Sequence, residues 1–321
     1  MILALAGGVG GAKLAKGLAD ILAPGELTIA VNTGDDFVHL GLHVSPDLDT
    51  VMYTLAGINN PTQGWGIAGE TWNFMQALEA IGGETWFNLG DRDLATNVER
   101  THRLAAGETL SAVTERLCAR LKVRHRVVPM SDEPVRTRVH TQSGVLPFQD
   151  YFVRLRSEPV VTRLEFAGTQ TARMSEGLRD ALNRTTLAAI VICPSNPYLS
   201  VAPILAVPGM REALEQRRVP VIAVSPIVAG QALKGPAAKI MRELGSEPSS
   251  LEIARYYRGL IDALAIDRAD AALVDSIGAL GIHPLVTNTI MTEPAHRIDL
   301  AKYIVDNVRA VAAQTANRAR I

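Results

Sequence analysis

The first 22 residues of the chain constrain its fold more than any other stretch. An apolar run, Ile2 to Ala6, leads into the turn Gly7-Gly8-Val9-Gly10-Gly11 and then into an amphipathic segment over about residues 12–22. A strand, a glycine-rich turn and a helix in this order point backbone N–H groups and the positive end of the helix at a phosphate. The stretch therefore predicts an α/β fold with a phosphate-binding turn, and a tight turn without a ligand stays open as the alternative.

Two known phosphate-binding motifs do not match this turn. A dinucleotide-binding G-x-G-x-x-G motif over Gly8 and Gly10 would need a third glycine where the chain has Lys13. A Walker A motif would need Ser or Thr after the lysine, and the chain has Leu14. We therefore predict a generic phosphate site at Gly8, Gly10 and Gly11, with Lys13 as a candidate counter-charge.

The connection from residue 31 to residue 50, between an apolar strand and an apolar helix, is unusually acidic. It contains four aspartates and two histidines: Asp35, Asp36, Asp47, Asp49, His39 and His43. Because neighbouring parallel strands end at one edge of a sheet, this connection and the glycine turn are predicted to lie side by side. Mg²⁺ prefers one or two carboxylates together with phosphate oxygens, which favours a Mg²⁺-bridged diphosphate here. A solvated loop, with aspartates as turn formers and helix caps, is the alternative.

The stretch from Trp86 to Asp93 is predicted to be the end of a strand that breaks into alternating charge, followed by a helix over residues 94–106. Asp93 can simply cap that helix, and Arg92 can pair with its neighbours. The triplet Asp91-Arg92-Asp93 is also a candidate second polar site at the same edge of the sheet. Trp65, between two glycines, is a candidate wall against a flat aromatic ligand.

Two later buried strands also end in polar residues. The run at 187–193 leads into Pro194-Ser195-Asn196-Pro197, and the run at 219–224 leads into Ser225-Pro226. Asn196 is a candidate for reading a nucleotide hydroxyl or base. Ser225 is equally well explained as a plain strand terminator.

Together these elements predict a doubly wound, mostly parallel, Rossmann-like α/β sheet with an inserted smaller α+β segment. Residues 1–125 and 186–321 are predicted to form the nucleotide-binding core. Residues 126–185 are predicted to form the insertion, because residues 136–153 alternate around a glycine turn as a β-hairpin does. Its basic face is either solvated or a lid over the anionic site.

Composition excludes several classes of protein. A net charge of -1 and a pI of about 6.7 offer no basic patch for nucleic acid or an anionic membrane. No apolar run approaches the roughly 20 residues that span a bilayer, and the N-terminus lacks the basic region of a signal peptide. Cys118 and Cys193 cannot form a disulfide framework. We expect a cytoplasmic protein that contacts neither nucleic acid nor membrane.

A set of short motifs closely resembles those of one known family. The motifs are A-G-G-V-G-G-A-K from Ala6, V-N-T-G-D-D from Val31, S-P-D-L-D-T from Ser45, L-G-D-R-D-L-A-T from Leu89, P-M-S-D from Pro129, P-S-N-P from Pro194, V-S-P-I from Val224 and G-P-A from Gly235. In this order they resemble the 2-phospho-L-lactate transferase family of coenzyme F(420) biosynthesis, which includes phosphoenolpyruvate-using actinobacterial members. S-P-D-L-D-T together with L-G-D-R-D is specific, whereas the glycine turn is shared with related nucleotide-sugar-binding regulatory proteins.

The resemblance implies transfer of a phospho-linked three-carbon acid from a guanosine diphosphate-linked donor to the ribityl hydroxyl of the deazaflavin FO, with release of GMP. It implies that FO lies near Asp49, Asn88, Asp91 and Arg92, and it fits Trp65 as a wall for the planar ring. The guanosine diphosphate part is expected along Gly8, Gly10, Gly11, Asn32, Asn196 and Ser225. A homodimer is expected for this family.

We assign the catalytic roles to Asp49, Asp91 and Arg92, with Arg92 stabilising the phosphates. Mg²⁺ is assigned to Asp49, with Asp35 or Asp36 as the second carboxylate. Whether an aspartate acts as general base stays open, as does the choice among phospholactate, phosphoenolpyruvate and phosphoglycerate. The alternatives to this transferase are a non-enzymatic nucleotide-sugar-binding regulator of the related group and, disfavoured by the missing third glycine, a Rossmann oxidoreductase.

Overall fold

The structure, a computed structural model, describes residues 1–318. The strands are β1 (Ile2–Ala6), β2 (Leu27–Val31), β3 (Phe37–His39), β4 (Leu42–Val44), β5 (Arg126–Pro129), β6 (Arg136–Thr141), β7 (Gly144–Pro147), β8 (Val161–Ala167), β9 (Ala189–Ile192), β10 (Val221–Val224), β11 (Ile227–Val228), β12 (Gln231–Ala232), β13 (Ala263–Asp267) and β14 (His283–Thr287).

The α-helices are α1 (Gly8–Ile21), α2 (Pro46–Ala56), α3 (Asn73–Ala80), α4 (Asp91–Ala105), α5 (Leu110–Arg120), α6 (Glu176–Asn183), α7 (Ala202–Ala206), α8 (Met210–Glu215), α9 (Ala237–Glu243), α10 (Ser250–Tyr256), α11 (Val274–Gly278) and α12 (Pro294–Arg318). Residues 150–154 and 197–201 form short π-helical turns, and residues 268–273 form a 3-10 helix. Among the helices of residues 1–318, none has the length and apolarity that crossing a membrane requires.

Seven parallel strands form the central sheet, in the order β14-β13-β10-β9-β1-β2-β5. The chain adds strands outward from β1 through β2 to β5, and then returns to the other side of β1 and adds β9, β10, β13 and β14. The direction of winding therefore reverses between β1 and β9, which is where doubly wound sheets bind their ligands. The predicted doubly wound α/β fold is confirmed.

Both faces of this sheet are buried, which is why its strands are continuous apolar runs. Successive side chains of β1 point to opposite faces. Ala4 and Ala6 pack with α1, α2 and α12, whereas Leu3 and Leu5 pack with the helices of the second half of the chain. The sheet is thus fixed from both sides, and the loops at its carboxyl edge are supported by a rigid core.

The predicted hairpin is confirmed, but it belongs to a smaller inserted unit than expected. β6, β7 and β8 form a separate antiparallel sheet over residues 136–167. The predicted start of the insertion at residue 126 is too early, because β5 pairs in parallel with β2 as the edge strand of the central sheet. Arg124 lies just before this short strand and Arg126 is its first residue, and both mask its apolar character in the sequence.

Two local expectations differ from the structure. Residues 86–89 were predicted to end a strand, but they form irregular backbone, and α4 already begins at Asp91. The acidic connection, for which a solvated loop was the alternative, contains the hairpin of β3 and β4. Leu40 and Gly41 form its tight turn with φ values of 51° and 76°, as a two-residue hairpin turn with the twist of its strands requires.

Candidate active site

A cavity of about 730 Å³ opens at the carboxyl edge of the sheet, between the ends of β1 and β9. Its size is that of a site for a small ligand or cofactor, for which about 300–1,000 Å³ is typical. The predicted site residues that line it are Gly8, Gly10, Lys13, Asp35, Asp49, Trp65, Asn88, Asn196 and Ser225. The predicted site residues that do not line it are Gly11, Asn32, Asp36, Asp91 and Arg92.

The glycine turn is shaped by its contact with the loop after β9. A side-chain carbon on Gly10 would lie 2.3 Å from the Pro194 carbonyl oxygen, and one on Gly11 would lie 2.4 Å from Ser195 Oγ. Ser195 Oγ also accepts a hydrogen bond from Gly7 N at 3.0 Å and donates one to Gly7 O at 2.8 Å. Gly11 thus packs closely against Ser195 and does not line the cavity, while Gly10 reaches it.

Asp47 lies directly at the amino end of α1. Its two carboxylate oxygens accept hydrogen bonds from Gly8 N at 2.7 Å and from Asn32 Nδ2 at 2.9 Å. Burial raises the pKa of Asp47 to about 6 although both hydrogen bonds favour the charged form. Asn32 was predicted to contact the nucleotide, but it is fully buried and holds Asp47 in place.

The neighbouring aspartates of the acidic connection face different ways. Asp35 lines the cavity, and its Oδ1 is buried without a hydrogen-bond partner among the described residues. Burial raises the pKa of Asp35 well above its usual value, and the charge of Asp47 raises it further. Asp36 is turned away, since its Oδ2 accepts a hydrogen bond from Ser45 Oγ at 2.8 Å and lies 3.1 Å from His43 Nε2. Of the two predicted metal ligands, Asp35 is the one that reaches the cavity.

Asp49 lies in the first turn of α2, and its carboxylate forms an ion pair with Arg100 of α4. Both side chains are buried, with Asp49 5% and Arg100 1% exposed. Arg100 is held by a further hydrogen bond to Asn97 Oδ1 at 2.9 Å. Burial raises the pKa of Asp49, and the charge and hydrogen bond of Arg100 oppose that shift.

Of the triplet at the start of α4, only the last residue, Asp93, lines the cavity. Asp91 accepts hydrogen bonds from Thr71 Oγ1 and Phe74 N, which lower its pKa to about 2, and it ties the segment before α3 to α4. The Arg92 guanidinium donates to Ala68 O at 3.1 Å and is exposed. Neither side chain lines the cavity, so the structure does not place the predicted catalytic pair in the candidate site.

Asp93 lines the cavity instead. Its Oδ1 accepts a hydrogen bond of 2.7 Å from the hydroxyl of Tyr53, which lies one turn after Asp49 on α2. Burial raises the pKa of Asp93 to about 7, and the charge of Asp49 contributes to that rise. A carboxyl group with this pKa exchanges protons near neutral pH, as a general acid or base must.

Aromatic side chains form the apolar part of the cavity wall. Trp65, which is 43% exposed, faces the cavity as predicted. Phe87 and, from the insertion, Phe148 and Phe152 also line it, and the rings of Phe148 and Phe152 stack with centroids 5.3 Å apart. The insertion therefore contributes apolar residues to the cavity wall, as well as the amide of Gln149, and not the basic face considered from the sequence.

Phe87 is supported by a cluster of rings behind it. Its centroid lies 4.8 Å from that of Phe37 and 5.8 Å from that of Trp86. The guanidinium of Arg154 lies 4.5 Å from the Trp86 ring centroid, and His39 is buried against the same rings. The histidine thus has a packing environment and does not reach the cavity.

Asn196 and Ser225 line the cavity, but their side chains make local contacts. Asn196 Oδ1 accepts hydrogen bonds from Tyr198 N and Leu199 N and caps the helical turn that follows. Ser225 Oγ donates to Ile227 O at 2.9 Å and lies 2.9 Å from Ser250 Oγ. Ligand contacts of both residues stay a prediction.

The carboxylates fit a divalent cation. Asp35 and Asp49 both face the cavity, and Asp35 has a buried oxygen without a partner. Residues 1–318 hold no group of three His, Cys, Asp or Glu side chains arranged as a complete ligand set. Mg²⁺ does not need one, because it is commonly bound by one or two carboxylates with substrate phosphates supplying the rest.

Sequence reasoning missed Tyr53 and Arg100, and within the Asp91-Arg92-Asp93 triplet it assigned catalysis to Asp91 and Arg92 and not to Asp93. A signal for them exists in the helical spacing. Asp93, Asn97 and Arg100 recur at i, i+4 and i+7, and Asp49 and Tyr53 at i and i+4, so each set lies on one helix face. The spacing does not predict that these faces of α2 and α4 contact each other.

Comparison with known proteins identifies one family over the whole described core. The family model for the 2-phospho-L-lactate transferase CofD matches residues 2–313. A phosphoenolpyruvate transferase from Streptomyces griseus subsp. griseus is 43% identical over 298 residues, covering 91% of this chain and 93% of that protein. A 2-phospho-L-lactate transferase from Methanosarcina mazei is 36% identical over 304 residues, covering 95% of this chain and 99% of that protein.

A solved structure shares the fold at low sequence identity. It is a member of the upf0052 family from Bacillus halodurans, with a TM-score of 0.60 and 15% identity, and the match covers 95% of this chain and 98% of that one. At this identity the similarity concerns the fold alone.

Proposed function

The chain belongs to the 2-phospho-L-lactate transferase CofD family, and on that premise we propose which reaction its cavity catalyses. The chain transfers a phospho-linked three-carbon acid from a guanosine diphosphate-linked donor to the terminal ribityl hydroxyl of the deazaflavin FO, and GMP leaves. The relatives act, by their names, with phosphoenolpyruvate or 2-phospho-L-lactate. Either acid, or phosphoglycerate, is a candidate for the group transferred here.

One observation carries the proposal most strongly. A single cavity joins a glycine turn, a set of carboxylates and an aromatic wall at the point where the sheet reverses its winding. The glycine turn suits a diphosphate, and the carboxylates suit a cation bound to that diphosphate. The aromatic wall suits a planar deazaflavin ring. The three parts together suit a nucleotide donor and a flat acceptor bound side by side.

In the proposed reaction, the acceptor hydroxyl oxygen attacks the phosphorus that carries the three-carbon acid. A new P–O bond to the acceptor forms, the bond between that phosphorus and the bridging oxygen of GMP breaks, and the hydroxyl proton leaves to a base. Such transfers depend mainly on positioning and on neutralising charge. The residues of this chain therefore contribute by holding both substrates in line and by removing one proton.

Asp93 is the best-placed base. It faces the cavity, and its carboxyl group is held by the Tyr53 hydroxyl. We assign Asp35 and Asp49 to the magnesium, which would neutralise negative charge on the diphosphate. Arg100 fixes the orientation of Asp49, and Asn32 fixes that of Asp47. Trp65 and Phe87 hold the deazaflavin ring.

A coupled assay tests the function directly. The purified protein is mixed with FO, Mg²⁺, GTP, a guanylyltransferase and each three-carbon phosphate in turn, and the products are read by mass spectrometry. A phosphodiester of FO formed with one acid supports the transferase and names its donor. FO binding without a product for any acid would instead support the regulatory-protein alternative.

We include in the proposal that the protein acts as a homodimer in the cytoplasm. Light scattering of the purified protein tests the first part. A mass of about one chain, 34.5 kDa, at assay concentration would refute it.

A further inference from the structure

Two lysines lie on the cavity wall without a carboxylate partner. Lys13 comes from α1 and Lys234 from the loop before α9. Within residues 1–318, neither of them forms an ion pair, and their ammonium groups donate to the backbone oxygens Met291 O at 2.7 Å and Gln63 O at 3.1 Å. One carbonyl satisfies only one of the three N–H donors of a lysine, so both retain capacity for an anion.

The two lysines are close enough for their positive charges to repel, and a bound anion would relieve that repulsion. Burial lowers the pKa of Lys13, and the positive charges of Lys234 and Arg297 lower it further. The charges that raise the pKa of Asp35, by contrast, are those of Asp47 and Asp36. The cavity therefore has a basic region distinct from its acidic region, and the basic region lacks an internal counter-ion.

Lys234 lies beside the glycine turn although it is distant in sequence. A side-chain carbon placed on Gly64 would be 2.6 Å from Val9 Cγ1 and 3.3 Å from Lys234 Nζ. Val9 belongs to the first turn of α1, so the ammonium of Lys234 lies close to the predicted phosphate site. The contact to Gln63 O ties the loop of Lys234 to the loop that carries Trp65.

Two buried aspartates, one at the end of β13 and one just after it, hold the loops that contribute to this region. Asp270 accepts hydrogen bonds from Ala229 N at 3.1 Å and from Ser250 Oγ at 2.8 Å, and so anchors the loop that leads to Lys234. Asp267 accepts from Thr289 N at 2.9 Å and anchors the loop whose Met291 O receives the Lys13 bond. Hydrogen bonds to these aspartates therefore hold in place the loop that leads to Lys234 and the loop that Lys13 contacts.

We propose that Lys234 and Lys13 form an anion subsite that binds the charged part of the donor. The anion is either the diphosphate or the carboxylate of the three-carbon acid, and both would be bound by the same two ammonium groups. This assignment rests on the function proposed above and makes Lys234 a donor-binding residue. Lysine binds phosphate as a point charge, so Arg at this position would preserve much of the effect.

The test compares Lys234→Gln and Lys234→Arg with Lys302→Gln, an exposed control on α12 that changes the net charge equally. Binding of GDP and of FO is measured by calorimetry with Mg²⁺, and the KM for the donor is measured in the coupled assay. A charge-assisted hydrogen bond to a bound anion predicts a loss of roughly ten- to a hundredfold. FO affinity is expected to stay unchanged in all three variants.

The two sources of the anion give different outcomes. If the lysines bind the diphosphate, Lys234→Gln weakens GDP binding and raises the donor KM. If they bind the acid, GDP binding is unchanged and only the donor KM rises. The proposal is overturned if both quantities match those of Lys302→Gln. Wild-type protein that binds GDP but transfers no acid would refute the proposed reaction. In that case, comparing GDP binding by Lys234→Gln and Lys302→Gln would still decide whether a phosphate subsite exists.

Discussion

The buried carboxylate of Asp49 is paired with the buried guanidinium of Arg100, and this ion pair joins α2 to α4 underneath the cavity. Since Asp49 also lines the cavity, its position there is set by a residue that no ligand needs to touch. Two buried charges of this kind depend on each other, because removing one leaves the other desolvated and unpaired.

Arg100→Leu is therefore expected to lower the free energy of unfolding by about 3–5 kcal/mol. The matched control is Arg116→Leu, since Arg116 is exposed and its pair with Glu108 is 3.5 Å long, so a change below about 1 kcal/mol is expected. Urea unfolding followed by circular dichroism measures both. Equal effects of the two substitutions would mean that the Asp49–Arg100 pair does not hold α2 and α4 together.

Asp49→Asn is expected to lower the transfer rate at least roughly 100-fold, because charge stabilisation through a bound Mg²⁺ is worth several kcal/mol. Asn keeps the shape that packs against Arg100 but leaves the buried Arg100 charge unpaired, so the free energy of unfolding is measured alongside the rate. Asp36→Asn is the control, since Asp36 is a neighbouring buried carboxylate of the same connection but does not line the cavity. Rates at saturating Mg²⁺ that are equal for the two variants would remove Asp49 from the metal site.

Asp93 gives the folded protein a pH dependence of stability. Its pKa is about 7 in the folded state and near 3.8 when exposed, so between these values the folded state retains a proton that the unfolded state has released. The free energy of unfolding therefore falls as the pH rises through this window, because the buried carboxyl group must lose its proton in the folded state. Asp93→Asn should therefore raise the melting temperature more at pH 8 than at pH 5, in EDTA. Asp91→Asn should not reproduce that difference, because the pKa of Asp91 is lowered to about 2 and its carboxyl group is ionised at both pH values.

The doubly wound class of the sheet and its polar carboxyl edge were predictable because they follow from local rules. The Ile2 to Ala6 run and its glycine turn specify a strand and a helix, and parallel strands place their ends together. The choice within Asp91-Arg92-Asp93 was not predictable in the same way. Which of three adjacent residues faces a cavity depends on where α4 begins, and that depends on Glu70, whose carboxylate accepts from the backbone N–H groups of Arg92 and Asp93.

Lys234 illustrates a second limit of the sequence. It is far from Lys13 along the chain, and nothing in its neighbours marks it as a partner of the glycine turn. The proximity arises because β10 lies two strands from β1 and its following loop folds back over the same edge. Proximity between two such distant residues depends on the order of the strands in the sheet. The sequence pattern indicates the class of the sheet but not that order.

Gly10→Ala is expected to destabilise the protein, since a side-chain carbon there would lie 2.3 Å from the Pro194 carbonyl oxygen and backbone would have to move. A loss of about 1–3 kcal/mol is typical of such overpacking. Gly278→Ala is the control, because that helical position has open space, and Ala there should stabilise by about 0.5–1 kcal/mol. Denaturant midpoints compare the two. A neutral Gly10→Ala would show that the turn and the 194–195 loop can separate freely.

Trp65→Ala tests whether the aromatic wall binds the acceptor. Trp65 is 43% exposed, so removing its ring should change the free energy of unfolding little, whereas losing a stacking partner should raise the KM for FO roughly three- to tenfold. The value of kcat and the donor KM should stay near those of the wild type, because the proposed stacking involves the planar ring of FO and not its ribityl hydroxyl or the donor. Trp72→Ala is the control, since Trp72 does not line the cavity. An FO KM that changes equally in both variants, or only in the control, would place the deazaflavin away from Trp65.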